Sequence, residues 1–253
     1  MNEFRAAKQL LSLSRFRNPL PLIADRLGWR HKPYSVISRT GTRIEIRPQT
    51  GDRYTAFEMF GLGVYDAGLE KLRAGDVVVD IGANIGCFAL EAGRRVGPSG
   101  KVYAVEPEEQ TYNRLVENVR LNGRYPVTPI RGAVAGRSGV LELNVPGRDF
   151  LFTSIYKEVD GRPISGTVQR VSCQNLEDLL QSNGIKRVAL LKLDCEGAEH
   201  EIIDTMSPDL ARRIDNLIIE FHNIPGRDIG ASIEALKALG YGYVLRQNHL
   251  FSR

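Results

Sequence analysis

The segment VVVDIGANIGCFAL, residues 77–90, constrains this chain more than any other. An apolar, β-branched run ends at Asp80, small residues follow at Gly82, Ala83 and Gly86, and an apolar helical pattern then begins. Strand, tight glycine turn and helix N-terminus, in that order, make a ligand-binding edge of a parallel sheet. The spacing Asp-x-Gly-x-x-x-Gly departs from the dinucleotide turn G-x-G-x-x-G. Its acid precedes the glycines, where it would repel a pyrophosphate and suit a cationic, nucleoside-bearing ligand. Gly82 and Gly86 permit close backbone approach, and Asn84 offers a polar side chain inside the turn. The Asp80 carboxylate either orders this loop by accepting backbone N–H bonds or meets the ligand directly.

The rest of the chain supplies a matching frame. Its 253 residues, 42% apolar, suffice for one large core with a small appendage. Strands are expected at 76–81, 101–106, 127–131, 188–193 and 215–221, and helices at 85–95, 108–122, 175–183, 198–205 and 230–239. That alternation predicts an α/β fold with a parallel sheet covered by helices on both faces. A hairpin at 35–47 turns at Thr40-Gly41, and residues 57–72 read as a helix or helix pair covering the mouth of the site. Segments 140–145 and 167–171 are further strands. Between them, 147–166 reads as a substrate-side insert carrying Arg148, Asp149, Phe150, Phe152, Tyr156 and Lys157, or as a dimer contact. Residues 241–252 read as a closing hairpin. The expected division is therefore a helical, basic appendage over 1–34 and one domain over 35–253.

Composition excludes little else. A formal net charge of +4 is a mild bias, and nucleic-acid binding needs a patch rather than a sum. Cys87, Cys173 and Cys195 form no CxxC pair, and their odd number fits reduced thiols in a cytoplasmic chain. The sequence has no run of 18 apolar residues and no signal-peptide core at its start, so a soluble protein is expected. In residues 1–34, leucines alternate with Lys8, Arg15, Arg17, Arg26 and Arg30. This zone either packs on the domain or serves as an arm for a membrane surface or partner.

Four further elements carry chemistry. In KVYAVEPEE, Glu106 ends a buried strand about two dozen residues after the glycines and Pro107 starts the next helix. An acid so placed accepts hydrogen bonds from ribose hydroxyls. In IRGAV, Ala133 and Val134 would lie against an adenine ring, although core packing explains them as well. In LLKLDCEGAEHEII, Asp194 and Glu196 place two carboxylates at a strand end, an expensive arrangement unless something binds there. Lys192 supports these carboxylates or reaches the sheet surface, and His200, in the first helical turn, is expected to face solvent. In NLIIEFHNIPG, Glu220 and His222 share one face of an extended segment. They would act as acid/base, substrate clamp or metal ligands. A metal on Asp194, Glu220 and His222 is not expected, because no H-x-x-x-H or similar pattern accompanies them.

Taken together, VVVDIGANIGCFAL, VYAVEPEEQTYNRLVENVRLN, LKLDCEGAEHEII and IIEFH resemble the FkbM family of S-adenosylmethionine-dependent methyltransferases. RPQTGD at 47–52 and the aromatic stretch up to Asp66 add a weaker match, and coverage runs from about residue 43 to 245. The resemblance implies a class I methyltransferase, Rossmann-like fold: a three-layer α/β/α sandwich with a mostly parallel seven-stranded sheet whose last strand is reversed. It implies S-adenosyl-L-methionine as cofactor and methyl transfer, usually to an oxygen, of small hydroxylated compounds such as sugars and polyketides. By position it assigns Asp80, Gly82, Asn84 and Gly86 to the methionine and ribose side and Glu106 to the ribose hydroxyls; Ala83, Pro107, Ala133, Asp194 and Glu196 complete the expected cofactor-binding set. Asp194 would sit near the transferable methyl, with Glu196 in the adjoining turn. Removal of a hydroxyl proton then falls to Asp194, His222 or Glu220. His222 matches neutral pH better than an ordinary aspartate.

Three alternatives stay open beside this. Methylation of nucleic-acid bases is disfavoured by LDCEGAE, which lacks an N/D-P-P-Y/F stacking motif, whereas ribose methylation of RNA is a rival given the basic arm. A non-catalytic cofactor-binding scaffold is a second rival. An NAD-dependent oxidoreductase lacks its G-x-G-x-x-G turn. A small-molecule acceptor, no nucleic acid and possible homodimerisation are the partners expected.

Overall fold

The structure is a computed structural model, and it describes residues 12–146 and 153–245. At its centre lies β3 (Val77–Ile81). It pairs in parallel with β4 (Lys101–Glu106) on one side and with β11 (Leu190–Leu193) on the other. Beyond these lie β5 (Val127–Arg131) and β12 (Leu217–Ile219), which complete a five-stranded sheet, all parallel. The chain runs from β3 outward to β4 and β5, then returns to the opposite side of β3. The edge between β3 and β11 is therefore a topological switch point, where side chains at the strand ends meet an open crevice.

Burial follows the two-residue period of strands. Val78, Val102, Ala104 and Leu190 face one hydrophobic cluster, and Val79, Ile81, Tyr103, Val105, Leu191 and Leu193 face the other. Three helices that follow strands cover these faces: Cys87–Val96, Glu109–Leu121 and Glu199–Asp204. The predicted strand–helix alternation is thus present, with ends within two or three residues of expectation. Five of the seven expected strands pair in this sheet. The expected closing hairpin at 241–252 has no strand within 241–245, and its remainder lies outside the described residues.

A second, three-stranded sheet holds β6 (Ala133–Val134), β7 (Gly139–Pro146) and β10 (Gly166–Gln174), with β10 antiparallel to β7 and parallel to β6. The insert is not a bare loop in its described part. The strands β8 (Glu158–Val159) and β9 (Arg162–Pro163) form a small hairpin, and the Tyr156 hydroxyl donates to Glu201 Oε1 at 2.7 Å. Arg148, Asp149, Phe150 and Phe152 lie outside the described residues.

On the N-terminal side, the hairpin is β1 (Tyr34–Ile37) and β2 (Arg43–Ile46), as the sequence predicts. Residues 12–34 pack on it. Phe16 is buried edge-on against Phe60, and buried Asp25 accepts from Tyr34 and Arg53. Residues 1–11 of the expected appendage lie outside the described residues. Residues 57–72 do not form one regular helix: a π-helical segment, Phe57–Leu62, stops at Gly63 in the left-handed conformation, and a short helix, Asp66–Leu69, follows. Among the described residues no helix is long and apolar enough to cross a membrane.

Candidate active site

A cleft of about 760 Å³ opens at the carboxyl ends of β3, β4, β11 and β12. That volume is in the range of pockets that enclose small molecules. Its walls include Gly82, Ala83, Asn84, Glu106, Pro107, Ala133, Asp194, Glu196, Glu220 and His222. Ten expected site residues, drawn from five separate sequence segments, therefore share one cavity.

At one end stands Glu106. Its Oε2 accepts from the Asn84 N–H at 2.9 Å and its Oε1 from the Glu108 N–H at 3.0 Å. A carboxylate oxygen has two lone pairs, so each oxygen retains one for a further donor such as a ribose hydroxyl. Glu106 is only 6% exposed, and burial pushes its pKa up to about 7, against the lowering effect of the two backbone bonds. Asn84 itself has φ +49°, with its side-chain oxygen accepting from the Ile85 N–H, so the turn is closed from within.

Two expected residues, Asp80 and Gly86, do not belong to the cleft wall. Asp80 is fully buried, and its carboxylate accepts no hydrogen bond from the glycine loop. Asp80 and Lys192 are register partners on adjacent strands, so their side chains emerge on the same face. The Lys192 Nζ lies 3.3 Å from Asp80 and 3.0 Å from Asp194 Oδ2. Lys192 is thus the buried counter-ion of both acids, which resolves its two expected uses in favour of support. Burial works against its charge, but Asp194 and Asp80 outweigh burial and hold the ammonium well above its ordinary pKa. Gly86 has φ +90°, a left-handed conformation that favours glycine, and a Cβ there would also press on the tip of the Leu115 side chain at 2.6 Å. Gly82 lines the cleft, yet its smallness answers to the protein as well: a Cβ would lie 1.7 Å from the Asp194 carbonyl oxygen.

The far end of the cleft is a cluster of acids. The Tyr65 hydroxyl lies 3.1 Å from Asp194 Oδ2 and 3.2 Å from Glu220 Oε2. Burial raises the Asp194 pKa, but Lys192 and His222 more than reverse this and hold it below the usual range. Glu220 moves the opposite way, raised by the Asp194 charge and by burial. Glu58, from the π-helical segment, is pushed up to about 8 by burial and by Glu220 and Asp194. Two carboxylates close together cannot both ionise freely in a low-dielectric site, so their affinities for protons separate.

His222 is 6% exposed. Its Nδ1 lies 2.9 Å from Glu199 Oε1, and its Nε2 lies 3.4 Å from Glu196 Oε2. Burial opposes its charge, yet Glu196 and Glu199 raise its pKa well above normal. Glu199 is fully buried and also accepts from the Cys195 and Gly197 N–H groups, so it both ties the turn and orients the imidazole. His200 does not face solvent as expected. It is 1% exposed, with Nδ1 against Ser232 Oγ and Nε2 against the His222 carbonyl. Sequence reasoning missed Glu58, Tyr65 and Glu199 as members of the site. An acid inside the apolar stretch 57–72 and the third acid of DCEGAE were the available signals.

A parallel sheet with strand order β5-β4-β3-β11-β12, with a buried carboxylate ending β4 and an acid just after β11 at the switch point, is the class I methyltransferase, Rossmann-like α/β fold. The family model for the methyltransferase FkbM domain matches residues 80–243, and the chain belongs to that family of S-adenosylmethionine-dependent methyltransferases. It is 30% identical to methyltransferase sdnD of Sordaria araneosa, over 71% of this chain and 77% of that one. It is 27% identical to the 31-O-demethyl-FK506 methyltransferase FkbM of Streptomyces tacrolimicus, over 72% and 78%. Among solved structures, a precorrin-6Y C5,15-methyltransferase from Geobacter metallireducens GS-15 aligns at 17% identity with a TM-score of 0.44, over 71% of this chain and 72% of that one.

Proposed function

We propose that this methyltransferase methylates a hydroxyl oxygen of a small organic molecule. The observation that carries the reading is the Tyr65–Asp194–Glu220 cluster, set across the cleft from Glu106. When bound, S-adenosylmethionine supplies a methyl group already activated by its sulfonium. The chain's own residues then bind, orient, exclude water and remove a proton. Glu106 takes the ribose hydroxyls, Gly82, Ala83 and Asn84 form the wall beneath them, and Pro107 and Ala133 flank the base. The acidic far end, Asp194 above all, suits the cationic part of the cofactor.

A hydroxyl must lose its proton as the new bond forms, and an acid/base group is needed at that end of the cleft. Asp194 is held ionised by Lys192 and is a weak base. His222, between Glu196 and Glu199, holds its proton at neutral pH. Glu220 combines a raised pKa with a place on the cleft wall, and it is the base in this reading. Tyr65 positions it by sharing one hydroxyl between Glu220 and Asp194. The name of the Streptomyces relative, 31-O-demethyl-FK506 methyltransferase, refers to an oxygen position, in keeping with this assignment.

The test pairs binding with product chemistry. S-adenosylhomocysteine is titrated calorimetrically, and methyl-13C S-adenosylmethionine is then offered with matched sets of sugars, macrolactones and primary amines. A methyl ether resonance in a hydroxylated acceptor is the expected product. Transfer to the amines alone would refute oxygen methylation, and failure to bind the homocysteine product would remove the assigned cofactor residues.

A further inference from the structure

We infer that Asp194, Glu196 and His222 form a divalent-cation site on the acceptor side of the cleft. One ligand atom from each lies within 4.8 Å of the others. The three come from two strand ends, β11 and β12, which are hydrogen-bonded neighbours, so the sheet itself fixes their separation.

Clustered carboxylates alone would not carry this. The buried histidine does. His222 is 94% buried by its 6% exposure, and it lines the cleft. Its Nδ1 is held by Glu199, whose oxygens also accept two backbone N–H groups. A carboxylate holding one imidazole nitrogen fixes the ring and points the other nitrogen outward, the arrangement found behind metal-bound histidines. That outward nitrogen, Nε2, stands 3.4 Å from Glu196 Oε2. Hydrogen bonds from nitrogen to oxygen run to about 3.2 Å. Glu196 Oε2 is buried and receives no hydrogen bond. In the ligand-free protein a proton on Nε2 stands between these two atoms, and a divalent ion that displaces it would lie against both. Two ligands on one ion at ~2.1 Å, subtending a tetrahedral angle, stand ~3.4 Å apart.

The donor set of one imidazole and two carboxylates suits a first-row divalent ion such as manganese, iron or zinc. Three protein ligands leave further positions for a second oxygen donor. Within the methyl-transfer reading, on which only this role rests, those positions face the acceptor. A vicinal diol or hydroxy-ketone would chelate there, and the cation would fix its hydroxyl beside Glu220. The acceptor class so selected is a polyoxygenated molecule with adjacent oxygens.

Manganese(II) is the probe, with full-length protein first stripped by EDTA. Loss of the free-ion electron paramagnetic resonance signal counts sites and gives affinity, and spin-echo modulation reports nitrogen coordination. One site tighter than roughly 10⁻⁴ M, the weak end of functional cation sites, is expected. A 14N coupling from one imidazole should accompany it and disappear in His222→Gln. Glu196→Gln should weaken binding about 10-fold or more. Circular dichroism of the same samples shows whether each variant retains its fold, and homocysteine-product titration of the wild-type chain reads the cofactor pocket separately. A wild-type chain that binds the product but no manganese overturns the site and leaves the methyl-transfer reading intact. Manganese bound without nitrogen coupling also overturns it, whether or not a variant folds. Manganese bound with that coupling, but no binding of the product, would keep the site and remove its assigned role.

Discussion

Gly82→Ala is expected to be among the most damaging single-methyl additions in the molecule. Gly82 has φ +79°, a left-handed conformation that costs an L side chain about 1–2 kcal/mol. The added Cβ would also lie 1.7 Å from the Asp194 carbonyl oxygen. Backbone on β11 cannot swing aside as a side-chain tip can, because Leu193 pairs with Ile81 in the neighbouring strand. Relief needs a separation of the two strand ends, and overpacking of this kind adds roughly 1–3 kcal/mol. The expected loss is therefore about 2–5 kcal/mol. Gly184 isolates the first contribution. It has φ +65° at the end of helix Leu176–Ser182, where the Ile185 and Gly184 N–H groups close the helix onto Leu180 and Gln181, and a Cβ there meets nothing within 4 Å. Gly184→Ala should lose only about 1–2 kcal/mol. Urea unfolding followed by circular dichroism compares the two, and at typical slopes the gap corresponds to roughly 1 M in midpoint. Equal losses in both variants would refute the close approach of β3 and β11 as the reason for this glycine.

Three other outcomes follow from the charges in the cleft. Glu106→Gln should weaken S-adenosylhomocysteine binding by about 10- to 100-fold, from loss of charge-assisted bonds, and lower the melting temperature at pH 8, because the Gln NH2 cannot accept from one of the two backbone N–H groups that now meet Oε1 and Oε2; unaltered affinity would displace Glu106 from the ribose site. The ligand-free protein should lose stability as pH rises from about 4.5 to 8. A carboxyl whose pKa rises on folding to about 7, as at Glu106, binds its proton more tightly when folded, so its contribution is present below 4.5 and is lost through 7, by about 3 kcal/mol. Glu58, pushed up to about 8, acts in the same direction, so urea midpoints that climb over this window would contradict both. Tyr65→Phe should retain homocysteine-product binding and slow transfer by roughly 10- to 100-fold, since the two carboxylates lose their shared donor; an unchanged kcat would leave Tyr65 a packing residue.

How far the sequence could be read depended on whether a signal was local. VVVDIGANIGCFAL and KVYAVEPEE carry their structure in adjacent residues: a β-branched run, a glycine turn, an acid at the strand end. Their elements match the expected ends closely, and Glu106 reaches the cleft because a strand end on a parallel sheet has nowhere else to point. Asp80 has the same local signature and a different place, since its neighbour in space is Lys192, 112 positions along the chain, and only strand register brings them together. Gly82 shows the same division. Its turn is legible, but the requirement for glycine comes from the Asp194 carbonyl across the sheet.

By itself, then, the sequence determined the α/β alternation, the glycine turn and the set of strand-end acids, because period and turn chemistry act over a few residues. Tertiary structure alone decided which acid is charged and what each one faces. Lys192 holds Asp194 ionised, Tyr65 joins Asp194 to Glu220, and Glu199 orients His222 toward Glu196. Those outcomes depend on distances between separate strands and on exclusion of water. A carboxylate's proton affinity is set by its neighbours in space, and no spacing along the chain encodes them.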